Sequence, residues 1–400
     1  MVLPDGAADD PLPELDGRTP LATARIPNMH WIAQHGCLGR VRTIPAGFVP
    51  GTDVASLVLF GYDPRVYYTG RAPIEAAARG LRAGPGELIF RCNFVTVLEG
   101  RMRSFSAGHM LQAEADALLA TLQESARAGD PALRGCVFHS GVAYRNIMVA
   151  GGAAELDLQT TPPHDIPDQP VAAHLPRGRG AERIRGIMAR AEALFRAHPV
   201  NAARRAAGRD PATGIWLWGQ GRPKALPSFA ERFGLRGAAI TGVDIIRGLA
   251  VSMGLDLLHV PGATGYLDTD YAAKGAAAVA ALAQYDLIAV HVEATDEAAH
   301  MGSAAEKVKA LEQTDTHVVA PLRAALRRNP GGWRMLIAPD HYTSTATTQH
   351  GAAPPPFCYA GAGGSGAPPS SGRTFTEAEA NRTGLLIDPG HELLPRFLGA

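Results

Sequence analysis

The chain has 400 residues, 46% of them apolar, and its 38 basic and 38 acidic side chains cancel. That length suits two domains better than one, and a neutral chain without basic runs argues against nucleic acid or a polyanionic membrane as its main target. The four cysteines Cys37, Cys92, Cys136 and Cys358 form no CxxC pair, and no apolar run reads as a signal peptide or is long enough to span a bilayer, so a cytoplasmic enzyme is the default expectation.

The chain opens on "MVLPDG", which reads as a short strand running into a turn at Asp5. Next, "PGTDVASLVLFGYDP" predicts a helix beginning at Thr52. From about residue 85 to 173 the pattern changes. "GELIFRCNFVTVLEGRMRSF" and "GVAYRNIMVAGG" predict hairpin strands around one helix, "AGHMLQAEADALLATLQESA", and a Pro-rich extended stretch, "LQTTPPHDIPDQPV", follows. This segment predicts a small inserted α+β domain at 85–173, within a core formed by 1–84 and 174–400.

The second half alternates strand and helix. "GIWLWGQG", "GAAITGVD", "LDLLHVPGATG", "YDLIAVHVEATD" and "WRMLIAPDH" read as strands that end in Gly, Pro, Asp or His. Between them, "FAERFGL", "DIIRGLAVSMG", "DTDYAAKGAAAVAALAQ" and "AAEKVKALEQTDTHVVAPLRAALRR" read as helices. Such alternation predicts a mainly parallel sheet with helices on both faces, a three-layer α/β/α core. Folds of this kind place their sites at the carboxyl ends of the strands. "AGAGGSGAPPSSG" (360–372) reads as a loop; it lacks the GK[ST] ending of a phosphate cradle.

Candidate metal ligands fall just after these predicted strands. Asp5 ends the first, Asp296 and His300 stand four apart in "EATDEAAHMG", and "APDHYTSTATTQH" holds Asp340, His341 and His350. Residues four apart on a helix share a face, so Asp296 and His300 can grip one ion. Adjacent Asp340 and His341 point apart on extended chain, which suits two different ions. Three carboxylates and three imidazoles fit Mn²⁺, Zn²⁺, Mg²⁺ or Co²⁺. Two such ions roughly 4 Å apart would clamp a phosphoryl group. Thr52 is the candidate nucleophile: a metal can deprotonate its hydroxyl, and a helix N-terminus favours the charge that gathers there. Singly, each residue has a bland reading. Asp5 suits a turn, Thr52 an N-cap, and a helical Asp–His pair a solvated surface.

Together these stretches resemble the cofactor-independent phosphoglycerate mutases of the archaeal type, in the alkaline phosphatase superfamily. The resemblance runs through "PDGAADDPLPELDGRTPLATARIPNM", "PAGFVPGTDVASLVLFGYDP", "GRAPIEAA", "FRCNFVTV", "TTPPHDI", "HPVN", "IWLWGQG", "VPGATGYLDTDYAAKG", "HVEATDEAAHMG" and "PDHYTS". It implies an alkaline-phosphatase-like core and interconversion of 2- and 3-phosphoglycerate through a phosphothreonine, in an isomerase that uses two divalent ions, Mn²⁺ foremost. Asp5, Thr52, Asp340 and His341 would form one metal site with the nucleophile. Asp296, His300 and His350 join them around the metal pair, with the sharing of ligands left open. Lys274 would neutralise the transferring phosphoryl oxygens. Arg91, Asn93 and Arg145 would contact a small phosphorylated carboxylate, since a guanidinium binds such anions bidentately. His164 and Asp165 would line the domain interface, and closure of the inserted domain would exclude water. The chain departs from the family pattern at Thr52, where serine is usual, at Asn146, where histidine is usual, and at Val149 and Ala150, which replace a Trp-basic pair. These departures keep open a related phosphatase, phosphonate hydrolase or homoserine-kinase-like phosphotransferase on the same core.

Overall fold

A computed structural model describes residues 1–329, 331–362 and 369–399. It separates into two units, Met1–Tyr68 with Ala225–Ala400, and Thr69–Lys224. The division falls outside the expected 85–173 segment on both sides, because elements flanking that segment build the second unit's sheet and cover it.

The first unit holds an eight-stranded sheet in the order Asp256–Leu257, Gly237–Ile240, Leu287–Val292, Val2–Pro4, Trp333–Ile337, Pro356–Ala362, Cys37–Val41 and Leu386–Ile387. Every pairing is parallel except the two made by Pro356–Ala362. The central strands are short and apolar on both faces. All six residues of Leu287–Val292 are buried, as are all three of Val2–Pro4. Helices supply that cover, so the strands read as apolar runs rather than alternating ones. One core cluster runs through Val2, Val290, Val292 and Ile337 to Ile32, Ala278 and Leu311 on the surrounding helices. "LDLLHVPGATG" contributes only the two-residue edge strand Asp256–Leu257. The long predicted helix after residue 303 is realised as Ala304–Thr314, a π turn over Asp315–Val319, and Ala320–Leu326. Pro321 lacks the amide proton that a regular α-helix would use there, so the ladder shifts ahead of it.

In the second unit, Leu88–Leu98 pairs antiparallel with Arg101–Ser104, Arg145–Ala150 and Gly214–Gly221, and Cys136–Val142 extends the sheet beyond Arg145–Ala150. "GIWLWGQG", read as a core strand, therefore belongs here. An apolar run of that length fits either sheet, and its partner decides. Phe90, Cys92, Phe94 and Met148 pack with Leu118, Leu122, Ile184 and Ile187 of the helices Gln112–Arg127 and Ala181–Phe195. Ile89, Ile147 and Val149 pack instead with Ala72 and Ala76 of Arg71–Ala78. Of the glycine-rich stretch 360–372, residues 363–368 lie outside the described residues.

A buried ion pair ties the loop after Val2–Pro4 to the loop after Trp333–Ile337. Lys307 Nζ donates to Asp9 Oδ2 at 2.9 Å and to the Thr343 carbonyl at 2.7 Å, and both side chains are fully buried. Asp9 also accepts from the Thr345 hydroxyl at 2.6 Å. Breaking a buried pair from one side leaves an uncompensated charge. Lys307→Met is therefore expected to destabilise the protein by about 3–5 kcal/mol in denaturant unfolding. A loss below about 1 kcal/mol, the range of exposed pairs, would show that the pair carries little weight.

Candidate active site

The candidate ligands gather at the carboxyl edge of the parallel strands. Asp5 follows Val2–Pro4, and Asp340 and His341 follow Trp333–Ile337. Asp296 and His300 lie on the helix Ala294–His300, which starts directly beyond Leu287–Val292. His350 sits on a two-residue strand paired with Tyr342–Thr343.

The sequence-predicted candidates fall into two groups, and the atoms within each lie within 4.8 Å of one another. In the first, His341 Nε2 is 3.4 Å from Asp5 Oδ1, 3.4 Å from Asp340 Oδ2 and 3.3 Å from the Thr52 hydroxyl. Asp5 Oδ1 and Asp340 Oδ2 are buried and meet no hydrogen-bond partner among the described residues. An unsatisfied buried carboxylate oxygen is costly, so two of them facing one imidazole fit a cation's donor set. In the second group, Asp296 Oδ2 is 3.0 Å from His300 Nε2, Asp296 Oδ1 is 3.5 Å from His350 Nε2, and the two ring nitrogens are 2.9 Å apart. Thr343 joins the groups, its hydroxyl 2.5 Å from Asp296 Oδ1 and 3.1 Å from His341 Nδ1.

Asp340 and His341 thus meet at Asp5 instead of parting. The chain leaves its strand at Ile337, so the alternation of extended chain no longer applies to them. Thr52 escapes its bland reading. Gly51 is the N-cap, Thr52 is the first helical residue, and its hydroxyl faces His341 rather than capping the helix. Gly6 makes the close packing possible. Its φ is +56°, its amide donates to Asp340 Oδ1 at 2.9 Å, and a Cβ there would lie 2.3 Å from Asp296 Oδ1.

The electrostatics follow from burial and crowding. Burial, then the neighbouring Asp340 and Asp296 carboxylates, pushes Asp5 well above the usual carboxylate range. Asp296 goes the other way despite burial, because His300 and His350 hydrogen-bond to it. His300 is raised to about 8, chiefly by its bond to Asp296, so a metal entering that group would have to displace a proton. Burial lowers His341, keeping it neutral and available as a ligand.

Sequence reasoning passed over His291 and Glu293. His291 Nε2 is 2.8 Å from Asp5 Oδ2, and Glu293 Oε2 is a third buried carboxylate oxygen with no hydrogen-bond partner among the described residues. Their signal was polar residues two apart in "AVHVEATD", inside a run that otherwise reads as core. Lys274 is fully buried, with Nζ donating to the Thr264 and His291 carbonyls at 3.3 and 3.2 Å. Burial lowers it to about 8, opposed by Glu293.

The second unit holds the remaining candidates. Arg91 and Asn93 share one sheet face, and Arg145 lies opposite Asn93 in register. Arg91 is engaged: its Nε is 2.9 Å from Glu75 Oε2 and its guanidinium stacks 4.1 Å over Trp218. Asn93 Oδ1 accepts from the Trp218 indole at 3.2 Å. His164 meets the same indole edge-on, with ring centroids 5.1 Å apart. Asp165 is exposed, 3.7 Å from His164 Nε2. Arg145 is exposed beside Tyr144, to whose hydroxyl oxygen its Nε donates at 2.9 Å. Among the described residues no helix is long and apolar enough to cross a membrane.

The parallel sheet and its edge of carboxylates and imidazoles define an alkaline-phosphatase-like α/β enzyme core. The solved structure of the PH0037 protein from Pyrococcus horikoshii is similar over all of this chain and 95% of its own, with a TM-score of 0.79 and 28% identity. A cofactor-independent phosphoglycerate mutase from Thermoplasma acidophilum shares the fold, with a TM-score of 0.64 and 24% identity over all of this chain and 98% of its own. The family model described as 2,3-bisphosphoglycerate-independent phosphoglycerate mutase matches residues 33–201. A relative of that name from Methanothrix thermoacetophila is 46% identical over 98% of this chain and 97% of its own length. Another, named 2,3-bisphosphoglycerate-independent phosphoglycerate mutase 2, from Methanothermobacter thermautotrophicus, is 47% identical over 91% of this chain and 88% of its own. The chain belongs to the 2,3-bisphosphoglycerate-independent phosphoglycerate mutase family.

Asp296 touches both imidazoles of its group, so Asp296→Ala is expected to lower the bound divalent metal by about one equivalent, read by elemental analysis after purification in Mn²⁺. Metal content equal to wild type would remove Asp296 from the ligand set.

Proposed function

We propose that the protein interconverts 2- and 3-phosphoglycerate by passing the phosphoryl group through Thr52. The observation that carries this reading is the Thr52 hydroxyl, placed on the first residue of a helix and 3.3 Å from His341 Nε2, beside two buried carboxylate oxygens that meet no hydrogen-bond partner among the described residues. The names of the relatives support it.

The donor sets fit two divalent ions, one held by Asp5, Asp340, His341 and Thr52, the other by Asp296, His300 and His350. When bound, such ions would supply Lewis acidity to the phosphoryl oxygens and favour ionisation of the threonine hydroxyl. The first group has two carboxylates, a hydroxyl and one imidazole, which suits a hard ion such as Mn²⁺ or Mg²⁺; the second has one carboxylate and two imidazoles, which also suits Zn²⁺ or Co²⁺.

The chain's own residues do the rest. Thr52 Oγ1 forms a bond to phosphorus as the phosphorus–oxygen bond to glycerate breaks, and the hydroxyl proton ends on the released glycerate oxygen. The reverse transfer to glycerate's other hydroxyl gives the isomer and restores threonine. Amide groups in the first turn of Thr52–Leu59 favour the negative charge gathered there. Lys274 adds positive potential from behind the His291 carbonyl. Arg145, Arg91 and Asn93, with His164 and Asp165, are assigned to the substrate's carboxylate and hydroxyls. Glu75 and Trp218 hold Arg91 in one orientation, which leaves exposed Arg145 as the more adaptable anion partner.

Thr52→Ala is expected to abolish turnover of 3-phosphoglycerate while binding Mn²⁺ with wild-type stoichiometry, and Thr52→Ser to restore it. Wild-type protein quenched during turnover should carry a phosphate on Thr52 by mass spectrometry. Near-normal turnover in the alanine variant would remove Thr52 from the mechanism. Arg145→Ala should raise KM for 3-phosphoglycerate roughly tenfold or more, the weight of one charge-assisted hydrogen bond, with the melting temperature unchanged. An unchanged KM would take Arg145 out of the substrate site.

A further inference from the structure

His291 does not belong to the ligand set implied by the resemblance, yet it is the most intimate neighbour of Asp5. It lies on the buried strand Leu287–Val292, directly opposite Leu3 in the register with Val2–Pro4, and its side chain is 1% exposed. Its two ring nitrogens face different partners. Nδ1 is 3.3 Å from the Thr241 hydroxyl, and Nε2 is 2.8 Å from Asp5 Oδ2. The Thr241 oxygen already accepts from the Val243 amide at 3.0 Å, so its own proton is available to Nδ1. In the tautomer with Nδ1 accepting, the ring proton lies on Nε2, where it faces Asp5 Oδ2.

The two oxygens of Asp5 are thereby made unequal. Oδ2 is held by His291, while Oδ1 is turned toward His341 Nε2 at 3.4 Å, buried and without a hydrogen-bond partner among the described residues. The Asp5 main chain is fixed as well, because its amide donates to the Val292 carbonyl at 2.9 Å and its carbonyl accepts from the Thr295 hydroxyl. His291, Glu293 and Asp5 also cluster closely enough to hold an ion themselves. Two features favour the hydrogen bond. A separation of 2.8 Å is an ordinary hydrogen-bond length with a hydroxyl donor facing the opposite ring nitrogen. The Lys274 ammonium, 3.2 Å from the His291 carbonyl, already puts a positive charge on that side.

We infer that His291 is a positioning residue: it orients the Asp5 carboxylate through the chain Thr241–His291–Asp5, so that Asp5 presents a single oxygen to the metal ion it shares with Asp340 and His341. The inference rests on the metal centre proposed above. Hydrogen-bonded partners behind a ligand set its direction, and removing one weakens metal binding by about 10–100-fold.

The test is Mn²⁺ titration of metal-free full-length protein, followed by the electron paramagnetic resonance signal of free Mn²⁺, for wild type, His291→Phe, His291→Gln and Thr241→Val. Thermal unfolding without metal identifies which variants are folded. Wild type should bind two ions. In His291→Phe one of the two should weaken about 10–100-fold. His291→Gln should recover most of that affinity, because its amide N–H reaches toward the place of Nε2–H. Thr241→Val should lose affinity severalfold, and it decides the matter if the phenylalanine variant does not fold. Wild-type affinity at both ions in the folded variants would overturn the inference. Equal loss in the phenylalanine and glutamine variants would also overturn it, because the need would then be for an imidazole ligand. A wild-type protein that binds no Mn²⁺ would overturn the metal centre itself, and this inference with it.

Discussion

Four carboxylates, those of Asp5, Glu293, Asp296 and Asp340, are gathered at one end of the central parallel strands, where water has little access. Each costs several kcal/mol to bury as a charge unless something compensates it. The backbone helps Asp340, through the Gly6 amide and the amide of His341. Hydrogen bonds from His300 and His350 answer Asp296. Asp5 Oδ1, Glu293 Oε2 and Asp340 Oδ2 remain without hydrogen-bond partners among the described residues. Such a site is unfavourable as protein alone, and the same arrangement is favourable around divalent cations.

That demand explains the surrounding architecture. The loops bearing the ligands approach one another so closely that only glycine fits at position 6. Behind them, Lys307 and Asp9 clamp the first and last of these loops together without occupying the site. Thr343 couples the two ligand groups by touching Asp296 and His341 at once. Function and stability pull in opposite directions here: the ligand groups store repulsion, and the clamp beside them resists it.

Much of the site was legible because ligands in this fold stand where a strand ends, and a strand end is marked by a polar residue after an apolar run. Asp5 and Asp340 follow that rule, whereas Asp296 stands one helical turn beyond its strand and was found through its four-residue spacing from His300, which announced a shared helix face. His291 was hidden because it lies within such a run, where an imidazole is indistinguishable from a satisfied core residue. The sheet membership of "GIWLWGQG" was hidden for a related reason. Trp216 and Trp218 give an apolar strand without naming its partner, and pairing to Leu88–Leu98 across more than a hundred residues leaves no local signature. The unit boundary followed the same pairing. Arg91 illustrates a different limit, since a sequence shows an available guanidinium and cannot show that Glu75 and Trp218 already hold it.

We read this buried negative charge as organised around two cations, each with its own ligands. The direct measurement is the anomalous difference density of crystals grown in Mn²⁺, collected near the manganese absorption edge. Two peaks are expected, one bounded by Asp5, Asp340, His341 and Thr52, the other by Asp296, His300 and His350. A single peak, or one held by His291 and Glu293 in place of Asp340 and His341, would contradict this reading.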